Sequence, residues 1–142
     1  MPESQTEVIG QIGPEPNKTL AFLESEHKKL TQQYSNNRFL ANEVAKLLME
    51  DGLAPHIEMV YEVRDDQVVL FLPQIYEGKM SPWHAHFVCC TENQAFDPIL
   101  GYPINKENYT KELFGQEIEM KVSVPAEDMD KYSGNFDPSV KR

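Results

Sequence analysis

Two histidines, His84 and His86, stand two residues apart in the segment WHAHFVCC, and Asp97 follows in the segment AFDP. In an extended strand, residues two apart project on the same face, so the two imidazoles are expected to share one surface. Thr91-Glu92-Asn93-Gln94 between the segments reads as a hairpin turn. That register sets Cys90 opposite Ala95 and makes His86 the diagonal neighbour of Asp97. A carboxylate that accepts one ring N–H fixes the imidazole's tautomer and raises its basicity, which is what a general base needs. The hairpin supplies no nucleophile. Cys89 and Cys90 are the only cysteines, and on the histidine's own strand a thiol four residues away sits roughly 13 Å off along an extended chain.

The elements that would position these groups follow from periodicity and punctuation. Asn17 caps a predicted helix with apolar positions Leu20, Leu23, Leu30 and Tyr34, and His27 falls within that stripe as a packing residue. A second helix is predicted from Asn36 or Asn37 through Leu40, Val44, Leu47 and Leu48, with Gly52 ending it in a left-handed turn. From Ile57 the period changes to two, which predicts a hairpin of Ile57 to Val63 with Val68 to Leu72, closed by Pro73. His56, just before it, reads as a surface residue. Trp83 to Cys90 and Ala95 to Ile99 form the second hairpin, followed by a loop through Gly101 and Pro103. A short helix from Lys106 to Phe114 is capped by Asn105 and stopped by Gly115, and Glu117 to Val124 alternates as a last strand with Ile118, Met120, Val122 and Val124 on one face. The order ααββββαβ predicts an α+β fold, N-terminal helices packed on an antiparallel sheet. Its domain spans residues 17–132, with a mobile arm at 1–16 and a flexible tail at 133–142.

Two segments carry a resemblance to a known group. Asn36 to Pro55 (NNRFLANEVAKLLMEDGLAP) has an alanine-containing helix with a glycine exit, and Trp83 to Phe114 includes His86, Phe96-Asp97-Pro98 and Tyr109 to Phe114. Together they resemble the papain-like and transglutaminase-like thiol enzymes, in which a helix with Cys is followed by a strand with His and a strand with Asp or Asn. The resemblance implies a papain-like fold and a site of His86, Asp97 and Asn37, the last as an oxyanion donor, with Trp83, His84 and Tyr102 as ligand contacts. Where the family carries its cysteine this chain has Asn36, Asn37 and Arg38. That departure implies a pseudoenzyme, a binding module for a protein or peptide. An alternative is a hydrolase or acyl-transferase acting on amide bonds through His86 and Asp97. A third possibility is metal ligation: Gly78 followed by His84-Ala85-His86 resembles the start of a cupin motif, with Glu92 or Asp97 completing the ligands.

Composition narrows the classes. Hydrophobic residues make up 40% and charged residues 25% of 142 residues, an ordinary globular balance for one core. Thirteen Lys and Arg against twenty-three Asp and Glu give a formal charge of -10, a field that repels phosphate backbones and anionic headgroups. Nucleic acid and membrane are therefore not expected as partners. No phosphate-cradling glycine loop and no calcium loop at Glu127 to Asp130 is present, and no cofactor is expected. Adjacent cysteines rarely meet disulfide geometry, and the N-terminus lacks a basic region followed by an apolar run, so a cytoplasmic, reducing location is expected.

Overall fold

The computed structural model describes residues 17–34 and 38–129. The arm at 1–16, the tail at 133–142 and Asn37 lie outside the described residues. Helices α1 (Asn17–Leu30) and α2 (Arg38–Glu50) come first, then strand β1 (His56–Val60). A two-stranded ribbon follows, β2 (Val63–Arg64) with β3 (Gln67–Val68), and then β4 (His86–Cys90), β5 (Gln94–Asp97) and β6 (Tyr102–Asn105). Helix α3 (Lys106–Phe114) and strand β7 (Met120–Val124) complete the described fold. The main sheet is antiparallel, in the order β6-β5-β4-β1-β7. Among the described residues no helix is long and apolar enough to cross a membrane.

Both faces of this sheet are covered, and the pleat sorts the side chains between two cores. Cys89 and Phe96 face α2, where they pack with Leu23, Ala41, Val44, Ala45 and Leu48. Val88, Cys90 and Ala95 point the other way, toward Tyr109, Leu113 and Phe114 of α3. The two N-terminal helices thus lie on one face, as expected, and α3 closes the other. The short helix is built as its punctuation predicts. The Asn105 side chain accepts from the Glu107 N–H at 3.2 Å, and Gly115 at φ 77° donates its N–H to the Lys111 carbonyl. Gly52, past the end of α2, is left-handed as well, at φ 83°.

Four expectations are corrected. Val68 to Leu72 does not pair along Ile57 to Val63, because β1 already has β4 on one side and β7 on the other. What remains is a ribbon of two pairs, Val63 with Val68 and Arg64 with Gln67, turning through Asp65 and Asp66 at φ 55° and 64°. The segment at Gly101 and Pro103 is not only a loop but holds the edge strand β6, where Pro103 is tolerated. Strand β4 begins at His86 rather than Trp83, whose backbone pairs only with Phe71. The last strand does not keep one face. Ile57 pairs with Val124 but Glu58 pairs with Val122, so Ser123 is an extra residue in a bulge. The bulge reverses the alternation: Ile118 and Met120 pack on the α3 side, Val124 on the α2 side, and Val122 is left 58% exposed.

Candidate functional site

His86 and Asp97 meet because β4 and β5 part company. Their ladder pairs Cys90 with Ala95 and Cys89 with Phe96 and goes no further, so beyond it the strands are free to turn side chains into the gap. There His86 Nε2 lies 2.8 Å from Asp97 Oδ2, both residues buried. The Tyr109 hydroxyl of α3 donates to the same oxygen, and the Ile99 N–H donates to Oδ1 at 2.8 Å. Burial pushes the Asp97 carboxyl up, but the imidazole, the phenol and the backbone N–H outweigh it and hold the group below the usual carboxylate range. With Asp97 ionised and accepting, Nε2 is the protonated nitrogen of the ring. Tyr109, buried and facing the carboxylate, is pushed well above the usual phenol range and acts as a donor only.

Aromatic rings clamp the imidazole. Trp83 lies against it with centroids 5.2 Å apart and planes tilted by 31°, and Phe114 meets it edge-on at 6.2 Å. A cavity of about 10 Å³ borders the pair, lined by Leu40 and Ala41 of α2, Phe87, Val88, Phe96, Pro98 and Ile99. It has room for about one water. Leu40 and Ala41 bring the first turn of α2 to the His86–Asp97 gap. The cavity lining contains no Cys, Ser, Thr or Lys among the described residues.

The other expected site residues are placed differently. His84 sits on a bend outside β4 and is exposed, so the two histidines share no face. A metal set of His84 and His86 is not formed: His86 is engaged with Asp97, and Glu92 is exposed at the hairpin tip. Trp83 is a buried packing residue rather than a surface contact, and its indole N–H has no acceptor among the described residues. Tyr102 is exposed on the edge strand, with its hydroxyl 3.3 Å from Glu112. The two thiols are free and buried, and burial raises both above the usual range. The resulting protonated thiols are poor nucleophiles.

Two features escaped the sequence. Tyr109 completes the His86–Asp97 network from a helix that local patterning places but cannot orient. On the same sheet face, beyond Val88, His56 is no surface residue: its Nε2 lies 2.6 Å from Glu58 Oε2, and Lys106 Nζ lies 2.5 Å from the same oxygen. The His56 contact and, against the cost of burial, the Lys106 ammonium hold the Glu58 carboxyl below its usual range. The alternation His56-Ile57-Glu58 was the available signal. No family model, curated protein or solved structure matches this chain.

Proposed function

We propose that this chain is a non-catalytic interaction module of papain-like architecture, a pseudoenzyme that binds a protein or peptide. The observation that carries this is the convergence of α2, β4 and β5 on a buried His86–Asp97 pair beside a cavity with no nucleophile among its described lining residues. A hydrolase needs an attacking group within hydrogen-bond reach of its base and space for the scissile bond. A cavity holding one water gives a substrate no place beside His86. The pair instead ties β4, β5 and α3 together beneath the start of α2. There the exposed side chains of Tyr34 and Phe39 offer apolar surface of the kind peptide partners cover. A surface of net charge -10 favours a basic peptide over nucleic acid. The free thiols suit a reducing, cytoplasmic setting.

Three measurements test this. The chain is expected to release no ammonia from glutamine-containing peptides; turnover abolished by His86→Ala would establish the amide-hydrolase alternative instead. Installing the missing group, Asn37→Cys, is expected to create a thiol that iodoacetamide labels at about pH 6, where an ordinary thiol is protonated. Adding His86→Ala should remove that reactivity. A cysteine at residue 37 that behaves as an ordinary surface thiol would sink the papain-like arrangement. For binding, peptides selected on the immobilised chain should lose affinity on Phe39→Asp and keep it on Val122→Asp.

A further inference from the structure

Where β1 and β4 pair, His56 lies directly across from Cys90, and Glu58, two residues on, faces the same side. The register of a covered sheet, not a loop, therefore sets three different ligand types together: imidazole nitrogen, carboxylate oxygen and thiol sulfur, all within 4.8 Å of one another. A tetrahedral zinc site, with Zn–N about 2.0 Å and Zn–S about 2.3 Å, needs ligand atoms roughly 3.5 Å apart. Small side-chain rotations close that difference.

The surroundings supply what a metal site requires beyond its ligands. Glu58 lines an open pocket of about 440 Å³ whose wall also carries Glu107 and Glu117, so a cation has a path in and a negative field along it. A cation already occupies the carboxylate: Lys106 Nζ, 2.5 Å from Glu58 Oε2. A lysine in the first turn of a helix opposes the helix dipole, and Glu58 is what holds it there. Its side chain is 27% exposed and lines the same pocket, so it can swing to solvent. Among the described residues the Cys90 thiol has a long contact to give up, 4.0 Å from Sγ to the Val88 carbonyl.

We propose that His56, Glu58 and Cys90 bind a zinc-type divalent cation, with a water from the pocket as the fourth ligand. Nitrogen, oxygen and sulfur donors in one set suit a borderline-soft ion rather than calcium or magnesium. On binding, the Cys90 thiol loses its proton to solvent and the sulfur coordinates as thiolate, while the Lys106 ammonium leaves Glu58 for the pocket. Three protein ligands and one exchangeable water make the site open rather than closed.

The test uses the full chain after dialysis against a chelator, titrated with zinc by calorimetry and with cobalt by absorption. One equivalent of zinc and a thiolate-to-cobalt charge-transfer band are expected. Cys90→Ala should abolish the band while Cys89→Ala, on the opposite face, leaves it unchanged. His56→Ala should weaken zinc by at least about tenfold, and Lys106→Met should tighten it by about tenfold because the competing ammonium is gone. No zinc binding, or cobalt bound without the thiolate band, would overturn the proposal. If Cys90→Ala does not fold, Lys106→Met decides: unchanged affinity there also overturns it.

Discussion

Asp97 accepts three hydrogen bonds, from His86, Tyr109 and Ile99. A hydrogen bond to a charged group is worth about 2 kcal/mol, and a buried donor left without its acceptor costs about 1–3 kcal/mol. Asp97→Asn is therefore expected to destabilise by about 3 kcal/mol and Tyr109→Phe by about 2 kcal/mol in urea unfolding. A Tyr109→Phe protein as stable as the parent would remove the hydroxyl from the network. The pH dependence follows from the lowered carboxyl. Because Asp97 is held below its unfolded value of about 3.9, its contribution is present above that pH and is lost as the pH falls through the folded value. Asp97→Asn should accordingly flatten the acid limb of the stability curve. His86 and Asp97 were legible because one tight hairpin joins them and its register follows from the turn. The contact of Tyr109 with Asp97 and the meeting of His56 with Cys90 were not, because these neighbours come from pairings between segments distant in sequence.

At the scale of elements, the two N-terminal helices and α3 announce themselves through local chemistry, in the Asn105 cap and the glycines at Gly52 and Gly115. Strand β6 and the bulge at Ser123 do not, because edge position and register are decided by the neighbouring strand, which residue preferences do not encode. A contact between elements shows the same dependence. The turn between β5 and β6 holds Gly101 at φ 92°, and a Cβ there would lie 2.9 Å from the His27 ring of α1, whose Nδ1 is 2.9 Å from the Ile99 carbonyl. Gly52 has an equally left-handed backbone but open space around it. Gly52→Ala should thus cost only the backbone strain, about 1 kcal/mol, and Gly101→Ala should cost more than about 2 kcal/mol. Combining Gly101→Ala with His27→Ala should cost less than the sum of the two, since the collision is then absent. Strict additivity in denaturant midpoints would mean that α1 and the turn do not press on one another.

Over the whole molecule, one sheet separates two cores, and adjacent cysteines report on them independently. Cys89 is fully buried on the α2 side and Cys90 on the α3 side. Every strand of the sheet except its edges carries side chains into both cores, so neither can open without disturbing the backbone that carries the other. A single domain of this size ordinarily unfolds as one cooperative unit. Each thiol should then react with a disulfide reagent only through global unfolding. Single-cysteine proteins, Cys89→Ala and Cys90→Ala, are expected to label at rates that give opening free energies equal to their own unfolding free energies. Faster labelling of Cys90 than its protein's stability permits would mean that α3 lifts away while α2 stays packed. That outcome would make the α3 face, with Lys106 and its Glu58 contact, a separately opening layer, and metal entry there would follow the opening rather than the pocket.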